Sequence, residues 1–304
     1  MYQALYRKYR PKTFDDVVGQ EHITETLKKQ VETGRLSHAY LFIGTRGTGK
    51  TTCAKILAKA VNCEHPVNGN PCNQCAACRG IDDGSILDVV ELDAASNNGV
   101  DNVRALRDEA VFSPANVRKR VYIIDEVHML STSAFNALLK ILEEPPAHLM
   151  FILATTELHK VPATILSRCQ IYDFNRIRVE DSVEYLKYIA SQEGISADEE
   201  SLNLIAQKAD GGMRDALSMF DKAVSFCGTT LDYRNVAQTL NVLDYDTYFS
   251  VTEMLLAGNY VDVLVTFDTV LSKGFSGQTF TAGLNRHMRD LLMAKRPETL
   301  RLIE

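Results

Sequence analysis

Eight consecutive residues, Gly44-Thr45-Arg46-Gly47-Thr48-Gly49-Lys50-Thr51, constrain this chain more than any others. They follow an apolar run, Tyr40–Ile43, and precede a segment, Thr51–Asn62, in which Ala54, Leu57, Ala58 and Val61 recur at the spacing of one helix face. A glycine-rich turn between a strand and a helix aims backbone N–H groups at one point, and the helix N-terminus adds partial positive charge there. Phosphate groups are the ligands that such a point holds. Lys50 is placed to neutralise β and γ oxygens, the Thr51 hydroxyl to ligate Mg²⁺, and Thr52 to complete the ATP contacts of the loop. Cys53, inside this helix, reads as core packing.

A second apolar run, Val121–Ile124, delivers Asp125 and Glu126 to a strand end. Asp125 can hold Mg²⁺ through water, and Glu126 can orient and activate the attacking water. A protein that only binds nucleotide does not need the second acid, so the pair favours hydrolysis. His128 completes the string Asp125-Glu126-Val127-His128 and reads as a supporting residue rather than a base. Thr155 and Thr156 follow another run, Met150–Ala154, where a polar side chain can sense the terminal phosphate. With Val89–Leu92 and Ile171–Phe174 there are five strand candidates, all short and apolar as strands covered on both faces are. Their alternation with helical patterns predicts a three-layer α/β domain with a parallel sheet flanked by helices. After Arg178 the strand signals stop. Val183–Glu193, Ser201–Ala209, Arg214–Phe226, Asp246–Leu256, Val261–Leu271 and Thr279–Ala294 read as helices, punctuated by Gly194 and Gly211-Gly212.

Several further strings occur in order: Tyr6-Arg7-Lys8-Tyr9-Arg10-Pro11, Val17-Val18-Gly19-Gln20, Leu139-Lys140-Ile141-Leu142-Glu143-Glu144-Pro145-Pro146 and Ser167-Arg168-Cys169. Together with the phosphate loop and Asp125–Leu130 they closely resemble the tau/gamma subunits of the bacterial DNA polymerase III clamp loader, which are AAA+ ATPases. The resemblance implies a P-loop AAA+ domain over residues 1–177, a helical lid over 178–242 and part of a helical collar over 243–304. The polymerase- and helicase-binding extensions of the tau form lie outside this chain. It also implies roles that the residues alone do not give. Arg168 would be an arginine finger reaching the ATP of a neighbouring subunit. Arg214 would contact the γ-phosphate in cis, and Thr156 would be the terminal-phosphate sensor. Tyr6, Arg10, Pro11, Val17 and Val18 would line the adenine pocket. The implied partners are other clamp-loader subunits in a hetero-pentameric ring, the sliding clamp and primer–template DNA.

Seven cysteines are present, and four cluster as Cys63-x8-Cys72-x2-Cys75-x2-Cys78 on an excursion between the phosphate-loop helix and Val89–Leu92. Pro66, Gly69 and Pro71 make the excursion loop-like, with little core. Four thiolates match a closed, structural zinc site at 63–78, although an iron–sulfur cluster uses the same ligands. The clamp-loader resemblance favours zinc. Cys169 and Cys227 read as packing residues. A formal net charge of −6 argues against nonspecific coating of nucleic acid, while local basic patches stay available. No apolar run reaches the ~20 residues of a membrane span, and Met1–Lys12 has no apolar core, so the expected location is cytoplasmic, with no membrane contact. Two other readings compete: a different AAA+ enzyme such as a branch-migration motor, and a scaffold subunit without ATPase activity. The cysteine insertion and Ser167-Arg168-Cys169 speak against the first, and Lys50, Thr51, Asp125 and Glu126 against the second.

Overall fold

The computed structural model describes residues 3–240, 242, 245–272 and 274–300. The five apolar runs form β1 (Ala39–Gly44), β2 (Val89–Asp93), β3 (Arg120–Asp125), β4 (Leu149–Thr155) and β5 (Gln170–Phe174). They pair in parallel in the order β2-β3-β4-β1-β5. Parallel neighbours need long crossovers, which here are helical. Two helices, α1 (Leu5–Lys8) and α2 (Glu21–Thr33), precede β1. Between β1 and β2 lie α3 (Lys50–Asn62) and α4 (Ala76–Asp82); α5 (Val100–Ala110), α6 (Thr132–Glu143) and α7 (Ala163–Leu166) each join the next two strands in turn.

The two-residue period of the strands divides the core cleanly. Leu41, Tyr122, Ile124, Phe151 and Leu153 share one cluster with Val103 and Leu106 of α5 and Phe135, Leu138 and Ile141 of α6. Tyr40, Phe42, Val121, Ile123, Ile152 and Ala154 point the other way, onto Ile23 and Leu27 of α2 and Ile56 and Leu57 of α3. All seven residues of β4 are buried, as expected for a strand covered on both faces. Cys53 is fully buried in the second cluster, and Cys169 packs partly buried against the first.

Further along the chain are α8 (Val179–Glu193), α9 (Glu199–Lys208), α10 (Met213–Cys227), α11 (Tyr233–Thr239), α12 (Tyr245–Leu256), α13 (Tyr260–Ser272), α14 (Gly277–Ala294) and α15 (Pro297–Leu300). Two expectations need correction. Strands do not stop at Arg178: β6 (Ser196–Ala197) and β7 (Thr230–Leu231) form a two-stranded parallel pair, too short to carry any periodicity. The cysteine excursion is not all loop either, because α4 forms within it, with the Cys75 sulfur accepting the Cys78 N–H at its N-terminus. By contacts the chain separates into two compact units, Met1–Gln192 with Ile205–Asp221, and Glu193–Leu204 with Lys222–Glu304. The second has its own small core around Tyr248, Val251, Val270 and Phe280. No helix among the described residues is long and apolar enough to cross a membrane.

Candidate nucleotide site and cysteine cluster

Strand order fixes where a ligand can sit. From β1 the chain crosses to the far edge at β2, returns through β3 and β4, and then passes β1 again to β5. A crevice opens at the carboxyl ends of the strands where the order reverses. Ile43 is level with Thr155, and Asp93 with Asp125, so the strand ends deliver their polar residues to one rim.

The loop from Gly44 to Gly49 leaves β1 there and enters α3. Glycine at 44 is enforced twice: φ is +142°, and an added Cβ would lie 2.4 Å from the Phe174 carbonyl oxygen. Gly49, at φ +103°, immediately precedes the first residue of α3. Lys50 is only 6% exposed. Its ammonium donates to the Gly44 and Thr45 carbonyls at 2.9 and 2.7 Å. Burial pulls its pKa down, opposed by the nearby carboxylates of Glu126 and Asp125. A buried cation beside a backbone nest, its ammonium resting on two carbonyls, matches the donor set that phosphate oxygens require.

The acids converge on the same place. The Thr51 hydroxyl donates to Asp125 Oδ2 at 2.7 Å, so two oxygens suited to Mg²⁺ are already side by side. Asp125 Oδ1 accepts the Glu126 N–H at 3.0 Å. Glu126 takes a left-handed backbone, φ +49°. Its Oε2 accepts from the Thr156 hydroxyl at 3.1 Å. His128 lies behind it: Nδ1 is 2.9 Å from the Thr155 hydroxyl and 3.4 Å from Glu126 Oε2, while Nε2 is 3.3 Å from Glu157 Oε1.

Above this rim is a cleft of about 650 Å³. Its walls contain Arg46, Gly47, Thr48, Gly49, Lys50, Thr51, Thr52, Asp125 and Glu126 at the polar end, and Tyr6, Arg10, Pro11, Val17 and Val18 from the N-terminal segment. Gly44 and Thr45 lie just below, as the acceptors of Lys50. Arg10 Nε donates to the Thr52 hydroxyl at 3.2 Å. Arg214 enters from α10 with its guanidinium 5.4 Å from the Tyr6 ring centroid. Thr156 reaches the site through Glu126 rather than as a wall of the cleft. Arg168 is elsewhere: it pairs with Glu143 Oε1 at 2.7 Å and donates to the Thr164 carbonyl at 2.8 Å. Sequence reasoning missed Asp16, Glu91, Ile177, Tyr185, Met213 and Leu217, which also line the cleft. No local motif marks them, and Glu91 lies in the middle of β2.

The four clustered cysteines converge as well. The sulfurs of Cys63, Cys72, Cys75 and Cys78 all lie within 4.8 Å of one another. Tetrahedral ligation at about 2.3 Å would set them roughly 3.8 Å apart, so the set fits zinc with little adjustment. Backbone N–H groups already face the sulfurs: Cys72 N to Cys63 at 3.2 Å, Gln74 N and Cys75 N to Cys72 at 3.4 and 3.3 Å. The Gln74 N–H foremost holds the Cys72 thiol down to about 6, whereas burial pushes Cys63 and Cys78 up.

A family model described as DNA polymerase III, delta subunit, matches residues 19–178. A second, the ATPase lid domain of the DNA polymerase III clamp loader subunit, matches 182–229. The chain is 52% identical to DNA polymerase III subunit tau of Bacillus subtilis over 97% of its own length and 52% of that protein's. It is 44% identical to the tau subunit of Escherichia coli, over 90% of this chain and 42% of the relative. It is 42% identical to the gamma subunit of Buchnera aphidicola, over 90% of this chain and 76% of that one. The chain thus spans about half the length of the tau relatives. Among solved structures, the RuvB Holliday junction branch migration motor of Thermotoga maritima superposes with a TM-score of 0.58 over 81% of this chain and 79% of that one. At 19% identity this is a likeness of fold alone.

Proposed function

The chain belongs to the tau/gamma family of DNA polymerase III clamp-loader subunits, and from that premise we propose that it is an ATP-hydrolysing motor of a clamp loader. The observation that carries the reading is the 2.7 Å pairing of Thr51 with Asp125, with Glu126 next to it at the rim of the cleft. On this reading the phosphate cradle, the magnesium-holding pair and the water-activating carboxylate share one rim of the cleft.

ATP would lie with its phosphates across Gly44–Thr52 and its base against Tyr6, Arg10, Pro11, Val17 and Val18. Thr51 and Asp125 would hold Mg²⁺, which when bound neutralises charge on the β and γ phosphates. Lys50 would swing from the two carbonyls to the phosphate oxygens, exchanging neutral acceptors for charged ones. Glu126, released from Thr156, would take the proton of the attacking water, and Thr156 would then be free to contact the terminal phosphate. Arg214 would close on the γ-phosphate from the cleft's open side. Positioned guanidinium groups stabilise the charge that develops on a transferring phosphoryl group. Arg168, outside its own cleft, would serve the nucleotide of the next subunit. Cys63, Cys72, Cys75 and Cys78 would hold a structural zinc with no open position.

On this reading the AAA+ domain covers 1–177, the lid 178–242 and the collar segment 243–304. ATP binding would close a hetero-pentameric ring in the cytoplasm, opening the sliding clamp and gripping primer–template DNA; hydrolysis would release the closed clamp. ATPase rate measured alone, with primed DNA, and with primed DNA plus the cognate clamp tests the proposal. Stimulation by DNA and clamp together is expected. A rate indifferent to both would remove the clamp-loading assignment.

A further inference from the structure

We propose that the cysteine-bearing segment works as a clasp on the base end of the nucleotide cleft, through Asn70 and Asn73. The inference rests on the nucleotide reading above and goes beyond it, because it gives the metal module a role in ATP affinity.

The clasped strip is the N-terminal segment. Arg10 and Pro11 line the cleft, then Asp16, Val17 and Val18 line it again, while residues 12–15 turn away between them. That turn is the only covalent link between two stretches of pocket wall. Phe14 anchors it, 1% exposed in the core beneath the sheet. A buried backbone N–H needs an acceptor, and the Phe14 N–H finds it in Asn70 Oδ1, 56 residues away, at 2.8 Å.

Asn70 is itself 8% exposed and uses both ends of its amide. Its Nδ2 donates to Asp15 Oδ2 at 2.7 Å, and Asp15 Oδ1 accepts from Lys28 Nζ of α2 at 2.5 Å. The backbone of Asn70 is fixed by reciprocal bonds with Val67, at 3.0 and 2.9 Å. Gly69, at the tip between them, presses on α2: at φ +72°, a Cβ there would meet the Lys28 carbonyl oxygen at 2.6 Å. Asn73 makes the second hold. Its Nδ2 donates to the Lys12 carbonyl at 3.3 Å, while its Oδ1 accepts from the buried Lys59 of α3 at 2.8 Å. Lys59 in turn pairs with Asp82 of α4 at 3.0 Å.

Asn70 and Asn73 flank Cys72, and Cys63 directly follows the last residue of α3. Ligation at these sulfurs would therefore fix both asparagines relative to the helix whose first turn receives the phosphates. Asn70 and Asn73 bond the strip and α3 and not the phosphate loop, which the strip meets where Arg10 Nε donates to the Thr52 hydroxyl. Loss of the clasp should weaken the hold on the base and spare the hold on phosphates. Asn70 and Asn73 are positioning residues.

Titration calorimetry with two probes, Mg–ATP and Mg–tripolyphosphate, separates the ends of the cleft. Asn70→Ala, with its zinc content verified, should raise the ATP Kd at least about fivefold, since it strands a buried N–H. The tripolyphosphate Kd should stay within about twofold of wild type. Asn73→Ala should show the same selectivity more weakly and serves as the test should Asn70→Ala fail to fold. Zinc-stripped wild type should reproduce it too. An unchanged ATP Kd in a zinc-loaded Asn70→Ala chain overturns the clasp, as does an equal loss for both probes, which would mean general loosening. A wild-type chain that binds neither probe overturns the nucleotide reading instead.

Discussion

The two ends of α3 are held in opposite ways. At its N-terminus the phosphate loop leans on a sheet whose central strands are buried on both faces, and the fold sets its geometry: Lys50 is seated on two carbonyls, Thr51 touches Asp125, and Gly44 has no freedom to be another residue. At its C-terminus the chain passes into a segment whose apolar contacts amount to Cys63, Cys75, Ala77 and Cys78, with Cys72, Ile86 and Val117 packed partly buried around them. Hydrophobic burial is proportional to area, and there is little of it here. The first end is organised by the core, whereas the second has polar links and, on the proposed reading, a metal held by its four cysteines. Chemistry at the first end should therefore be disrupted by single side chains without loss of fold, and the second should respond to metal as a unit.

The sharpest test of the preorganised end is Glu126→Gln. The amide keeps the shape and loses the base, so hydrolysis should fall by about 10²–10⁴-fold while ATP stays bound. Single-turnover kinetics beside equilibrium binding reads both; a rate within about twofold of wild type would strip Glu126 of its role.

Lys50→Ala comes next. Removing a buried charged partner of phosphate should raise the ATP Kd about 100-fold or more, with the thermal unfolding transition retained. A labelled analogue gives the affinity. If binding survives unchanged, the loop is not the phosphate site.

Arg168→Ala should leave this chain's own ATP affinity unaltered, because its guanidinium lies on Glu143 and away from the cleft. In the assembled complex the DNA- and clamp-stimulated rate should drop at least about tenfold, less than the loss seen for a GTPase finger supplied in trans. Mixed assemblies of Arg168→Ala and Lys50→Ala chains should regain activity wherever an intact arginine faces an intact loop. No recovery in mixtures proven to co-assemble would assign Arg168 to its own subunit.

The smallest effect is expected at the other end of α3. Elemental analysis after reducing purification should find about one zinc per chain. Chelation should open residues 63–86 to proteolysis while hydrogen-exchange protection of the sheet persists. Iron in place of zinc would change the metal, absence of metal would reject the site, and collapse of the sheet on chelation would erase the contrast between the two ends.

Much of this was legible in sequence because the signals are local. Tyr40–Ile43, Val121–Ile124 and Met150–Ala154 are apolar without interruption since their strands have no wet face, and each strand contains the run expected of it. The phosphate loop is a contiguous string, and the cysteine spacing is short. What escaped notice is what topology assembles. Ile177, Tyr185, Met213 and Leu217 join one wall with Tyr6 and Val17 only after the chain has folded back. The two-residue strands β6 and β7 are below any periodic signal. His128 could be placed as a support for the acids from its neighbours in sequence, yet its contact with Glu157 needed the register of β3 against β4.

The backbone at Glu126 carries a consequence for anyone redesigning this chain. A residue with a Cβ at φ +49° costs about 1–2 kcal/mol relative to the ordinary helical region, and glycine would recover it. An optimiser rewarded for thermal tolerance alone would choose glycine at 126 and deliver a hardier protein with no carboxylate beside Asp125. If Glu126 has the proposed role, durability and turnover pull this position in opposite directions, so it should be held constant in any stabilisation campaign.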